Sequence, residues 1–237
     1  MPTRTVCKAA LALTATLAAT IAVAACSGGT PHPRAITLTF VRHAQSRSNA
    51  ENIIDTDVPG PELTEEGRGQ ARQLAHQLAR NGYDAVYASS MVETQQTAAP
   101  LAEELGKQVE ILPGLREIDA GWFNHKPQSM ANSTYLLAPK DWLNSDRRDA
   151  IPGSVDGNEF NSEFSAAVQK IYDSRHNKPV VFSHGTAIMI WTLMNVKNPK
   201  DSLLASHPLP NVGRVVITGS PTAGWTLVDW DGIRSFN

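Results

Sequence analysis

Two periodicities alternate along this chain. A β-branched, apolar run from Ala35 to Val41 predicts a strand that ends at Arg42-His43. Leu63-Thr64-Glu65-Glu66 then opens a helix, with Thr64 as its N-cap and two glutamates at the positive end of its dipole. Ala71, Leu74, Ala75, Leu78 and Ala79 recur at helical spacing until Asn81-Gly82 stops the run. Asp84 to Ala88 reads as a second strand, Glu93 to Leu105 as a helix halted by Gly106, and Val109 to Leu112 as a short strand before Pro113-Gly114. The stretch from Gly121 to Asp156 is irregular and fits no element. A helix from Glu159 to Ser174 follows, then a buried strand, Pro179 to Phe182, ending at Ser183-His184-Gly185. A helix from Thr186 to Met194 and a closing strand pair, Val212 to Thr218 and Trp225 to Val228, complete the pattern.

Strands alternating with helices predict an α/β fold, a three-layer α/β/α sandwich around a mostly parallel central sheet. Ligands in such sheets bind beyond the carboxyl ends of the strands. Two strands here end in a histidine, His43 and His184, so one pocket can hold both.

The N-terminus belongs to a different class. A short basic start (Arg4, Lys8) precedes an Ala/Leu/Thr/Val run from Ala9 to Ala25, the layout of a secretory signal peptide over residues 1–25. Val23-Ala24-Ala25-Cys26 resembles the lipobox of bacterial lipoproteins, which implies acylation of Cys26 and a lipid anchor at the outer side of a bacterial membrane. Ser27 to Arg34 reads as a flexible tether, and residues 35–237 as one domain. Loss of Arg4 and Lys8 leaves 19 basic against 23 acidic residues, a net charge of −4 with no basic run, which gives nucleic-acid binding no support. With Cys7 removed and Cys26 acylated, neither a disulfide nor a cysteine-based metal site remains.

The candidate chemistry starts at Arg42-His43-Ala44-Gln45-Ser46-Arg47-Ser48-Asn49. A neutral imidazole is nucleophilic near neutral pH and forms covalent phosphoryl intermediates. A guanidinium beside it can grip two phosphate oxygens through its planar fork. Thr39 to Ser46 with Asn49 resembles the signature of the histidine phosphatase (phosphoglycerate mutase-like) superfamily, with Ala44 where that family usually has Gly. Four more segments resemble that family in the same order: Leu63-Thr64 with Gly67, Leu112-Pro113 through Gly121-Trp122, Gly157 to Phe160, and Val181 to Gly185.

The resemblance implies hydrolysis of a small phosphorylated substrate with no cofactor and no metal. His43 becomes the nucleophile that forms phosphohistidine. Arg42, Ser46, Asn49 and Gly185 surround the phosphoryl group. His184, protonated while it faces the dianion, stabilises charge on the oxygens. Glu117 protonates the leaving alkoxide and then activates water, so its pKa must be raised by burial or nearby negative charge. His32, His76, His176 and His207 show no metal-ligand spacing, and the five tryptophans form no stripe.

One position departs from the family. Its second phosphate-gripping arginine falls at Glu93 in Ser89-Ser90-Met91-Val92-Glu93-Thr94-Gln95-Gln96-Thr97-Ala98. At an effective dielectric of about 20, two unit charges about 4 Å apart interact by roughly 4 kcal/mol, so a charged Glu93 would severely weaken binding of a dianion. Three alternatives stay open: Glu93 turns away or is protonated, Arg47 or His125 supplies the missing cation, or glutamate is an introduced change that disables the enzyme.

Overall fold

The computed structural model describes residues 33–236 and Met1. The expected signal peptide, the acylated Cys26 and most of the tether therefore lie outside the described residues. Arg34, at the tether's end, is already docked on the domain: its guanidinium donates to the carbonyls of Tyr172 and His176 and lies over the Tyr172 ring.

Six strands form one sheet: β1 (Ile36–Arg42), β2 (Ala85–Ala88), β3 (Val109–Ile111), β4 (Pro179–Ser183), β5 (Arg214–Ser220) and β6 (Gly224–Trp230), in the spatial order β3-β2-β4-β1-β5-β6. The β3/β2, β2/β4 and β4/β1 pairs are parallel, whereas β5 runs antiparallel to both β1 and β6. The central parallel strands β2 and β4 are buried on both faces, which is why they read as near-continuous apolar runs, whereas β3 at the sheet edge is largely exposed.

Helices cover both faces. Val41, Val86, Ala88, Val180 and Phe182 pack with Leu74, Ala75 and Leu78 of α2 (Glu65–Leu78) and with Ala98, Leu101 and Ala102 of α3 (Val92–Leu105). On the other face Ile36, Leu38, Phe40, Tyr87, Val181 and Ile217 meet α4 (Leu137–Leu143), α5 (Gly157–Asp173) and α6 (Gly185–Asn195). Phe164 of α5 lies between Phe40 and Trp191, with ring centroids 5.8 Å and 5.2 Å away. The short helices α1 (Arg47–Glu51) and α7 (Leu203–Ser206) complete the set. The expected three-layer α/β/α sandwich is what forms.

The helix signals read from sequence act as expected. The Thr64 hydroxyl accepts from the Gly67 N–H, and Gly106 ends α3 in the left-handed region at φ 63°. A cap not read from the sequence, Asp156, holds the start of α5 through the N–H groups of Asn158 and Glu159. The stretch from Gly121 to Asp156 is more ordered than its sequence suggests. It holds α4 and two 3-10 turns, Gly121–Phe123 and Gln128–Ser133. Ala131, Tyr135, Ala138 and Trp142 bury against the core there, so tertiary packing supplies what local periodicity lacks. Among the described residues, no helix is long and apolar enough to cross a membrane.

Candidate active site

The β1/β4 register pairs Arg42 with Ser183, so the next residue of each strand, His43 and His184, emerges at the same sheet end. The His43 N–H continues the ladder to the Ser183 carbonyl at 3.0 Å. The two imidazoles are buried with ring centroids 5.2 Å apart. They line a cleft of about 430 Å³ whose walls include Arg42, Ser46, Asn49, Glu93, Glu117 and Gly185. Every catalytic and phosphate-binding residue expected from the sequence is therefore brought to one place.

The tautomer of His43 follows from its partner. Its Nδ1 lies 2.8 Å from the Ala44 carbonyl, which can only accept, so Nδ1 carries the proton and Nε2 keeps its lone pair. Burial, reinforced by the Arg42 charge, holds the His43 pKa down to about 3. The imidazole is neutral and nucleophilic throughout the physiological range. Ala44 does not adopt positive φ, so the family's glycine is not needed there. Its N–H donates to the Thr97 hydroxyl, and Thr97 donates to the Glu93 carbonyl, which ties the turn after the nucleophile to α3.

Arg42 donates from Nη1 to the Leu209 carbonyl at 2.7 Å, while its buried Nε has no hydrogen-bond partner. A guanidinium remains charged even when burial lowers its pKa, as it does here. Ser46 caps α1 by accepting from the Asn49 N–H. The Asn49 Oδ1 accepts from Ser46 and from Asn211, which leaves its amide NH2 as the group suited to a phosphate oxygen.

Glu117 sits at the start of α6, where its carboxylate accepts from the N–H groups of Ile118, Thr186 and Ala187. Burial nonetheless raises its pKa, opposed by those three bonds and by Arg42. That is the direction a general acid requires.

Burial, then the neighbouring His43 and Arg42, hold the His184 pKa well below the usual value in the protein alone, whereas the expected cation is one that faces a phosphate dianion. The proton of the neutral ring can be located. Thr94 donates to the carbonyls of Met91 and Ser89, so the 2.9 Å contact between Ser89 and Thr94 uses the serine proton. The Ser89 oxygen is then free to accept from the Met91 N–H and from His184 Nε2–H at 2.9 Å. The His184 Nδ1 lone pair consequently faces Glu93.

Glu93 does not turn away. It is 1% exposed, lines the cleft, and places Oε1 3.5 Å from His184 Nδ1. Its Oε2 has no hydrogen-bond partner and lies against Gly60, where an added Cβ would meet it at 2.3 Å. Burial, helped by Asp55 and Glu117, raises its pKa to about 8. Below that pH the carboxyl is neutral, and the repulsion expected of a charged glutamate largely disappears. Neither proposed substitute cation reaches the site. Arg47 is exposed and paired with Glu62, and His125 is exposed and paired with Asp57. Lys140 lines the cleft instead.

Sequence reasoning missed Tyr135, Asp55, Asn211 and Ser89. Tyr135 is buried in the cleft wall, with its pKa raised well above the usual value by burial and by Glu117, so its phenol stays protonated. Asn211 donates to the His43 carbonyl at 3.1 Å. No local pattern marks these residues; only Ser89, inside the Ser-Ser segment, carried a signal that could have found it.

Residues 38–231 match the family described as histidine phosphatase superfamily (branch 1). The chain belongs to that superfamily. It is 46% identical over 216 residues to the PE-PGRS family protein PE_PGRS11 of Mycobacterium tuberculosis, a match that covers 84% of this chain and spans only 37% of that protein. It is 31% identical over 201 residues to a probable phosphoglycerate mutase GpmB of an Enterobacter species, covering 79% of this chain and 89% of the relative. A mycobacterial glucosyl-3-phosphoglycerate phosphatase solved with VO3 superposes with a TM-score of 0.70 at 20% identity, covering 84% of this chain and 100% of that one, a likeness of fold.

The buried Glu93 makes stability depend on pH. The unfolded carboxyl loses its proton near 4.5, whereas the folded one holds it to about 8, so its contribution to stability falls as pH rises across that window. The buried histidines act oppositely, but only below their unfolded value of about 6.5. Glu93→Gln is therefore expected to gain stability relative to wild type between pH 5 and 8 and to level off above, as read by urea unfolding at each pH. A difference independent of pH would place the Glu93 carboxyl in water.

Proposed function

We propose that this superfamily member hydrolyses phosphate monoesters through a phosphohistidine on His43. The observation that carries the reading is the fixed tautomer of His43, which presents an unprotonated Nε2 to a cleft shared with Arg42, His184 and the buried acid Glu117. Nε2 attacks phosphorus, the bond to the ester oxygen breaks, and that oxygen takes the Glu117 proton. Glu117, now a carboxylate, removes a proton from water, which attacks phosphorus and breaks the P–N bond. The lone pair returns to Nε2 and inorganic phosphate departs. Arg42, the Asn49 amide, Ser46 and the backbone at Gly185 hold the phosphoryl oxygens.

Hydrolysis is favoured over mutase chemistry on the reading that the chain is exported, away from glycolytic intermediates. Residues 1–25 act as the signal peptide in this proposal, and acylated Cys26 anchors the domain at the extracytoplasmic face of the membrane. A second reading, an impaired member that binds a phosphorylated ligand or a protein partner, rests on the carboxyl of Glu93 lying inside the pocket where the family carries arginine.

His43→Ala should reduce hydrolysis of an aryl phosphate to background while the far-ultraviolet circular dichroism stays unchanged; retained turnover would remove His43 from the mechanism. Glu93→Arg should raise turnover on the same substrate by at least about tenfold, since a cation at such a site is worth more than a single hydrogen bond. No gain would mean that the pocket does not lack a cation. Cys26→Ser should abolish incorporation of labelled palmitate in cells and release the chain from the membrane fraction; continued labelling would place the lipid elsewhere.

A further inference from the structure

Two imidazoles and one carboxylate converge at the floor of the cleft. One ligand atom each from His43, Glu93 and His184 lies within 4.8 Å of the others, and all three side chains are buried. We propose that this trio is a binding site for a divalent transition metal of the zinc class, created by glutamate at position 93. The inference concerns the same pocket as the phosphatase reading but does not require it. It also departs from the resemblance, which implies no metal.

The geometry fits in four respects. His184 Nδ1 and Glu93 Oε1 are 3.5 Å apart, near the roughly 3.4 Å edge of a tetrahedron with metal–ligand bonds of about 2.1 Å. Both imidazoles are held by the nitrogen that points away: His43 Nδ1–H by the Ala44 carbonyl and His184 Nε2–H by Ser89. Orientation by such an outer hydrogen bond is what metal-ligating histidines require. Glu93 turns Oε1 towards His184, and its buried Oε2, packed against Gly60, has no hydrogen-bond partner, so no protein donor holds the carboxyl there. The three residues line the cleft together with Arg42, so water or a phosphate oxygen can reach a bound ion.

Two nitrogens and one carboxylate select zinc, cobalt or nickel over magnesium or calcium, which prefer all-oxygen sets. The ion would restore positive charge where the family places arginine. It would also occupy the lone pair of His43 Nε2, the electron pair that attack on phosphorus needs. Metal binding and phosphoryl transfer thus compete for one atom.

The test uses the full-length chain in detergent, stripped by chelator, titrated with Zn2+ by calorimetry and with Co2+ by visible absorption. One ion per chain is expected, with the intense Co2+ bands of a tetrahedral site. Glu93→Gln keeps the side-chain volume and should weaken Zn2+ by at least about a hundredfold, more than loss of an outer-shell partner. His125→Asn is the control, because half-buried Asp55 with exposed Asp57 and His125 form the other candidate trio among the described residues. It should leave the affinity unchanged. No binding, binding that survives Glu93→Gln in a folded protein, or binding lost with His125→Asn would each overturn the proposal. Calorimetry and absorption report on metal alone, so a chain without hydrolytic activity can still pass. An active enzyme that ignores Zn2+ fails this test and leaves the phosphatase reading standing.

Discussion

Parallel pairing of β1 with β4 is the constraint on which the site depends. Residues separated by more than a hundred positions in sequence are locked in register from Thr39 with Val180 to Arg42 with Ser183. A slip of one residue would send the side chains of either strand to the opposite face of the sheet. The apolar alternation guards against that slip: Phe40 faces one helical layer and Val41 the other, as Val181 and Phe182 do on the partner strand. The hydrophobic core thereby fixes the separation of two imidazoles that contribute little to it.

Desolvation then sets the character of the pocket. It keeps both histidines neutral, raises Glu117 towards an acid, and holds Glu93 protonated to about pH 8. One physical cause thus gives the nucleophile its lone pair and pushes the acid towards its protonated form. The same burial leaves the cleft poor in fixed positive charge, with Arg42 and Lys140 as the cations of its lining. A site of this kind responds strongly to any ion that enters it, because little water screens the encounter.

Much of this was legible from residues alone. The strand runs, the cap at Thr64, the stop at Gly106 and the convergence of His43 with His184 all follow from patterns spanning a few residues. The Gly121 to Asp156 stretch was not legible, because α4 is held by Trp142 packing on Phe160 and by Tyr135 in the cleft wall rather than by its own periodicity. Tyr135 and Asn211 stayed hidden for the same reason, since each reaches the site through a long-range contact. The charge state of His184 depends on what surrounds the ring, and local sequence carries no record of burial.

The link from Ala44 to Thr97 to the carbonyl of residue 93 has a consequence for how such pockets diverge. The turn behind the nucleophile is latched by a side chain one turn further along α3 and by the main chain of residue 93, not by its side chain. Whatever residue stands there, the latch persists and the nucleophile keeps its pose. The electrical sign of the pocket can therefore be rewritten by a single codon while its shape is inherited intact, so a scaffold that grips anions lies one substitution from one that could grip cations.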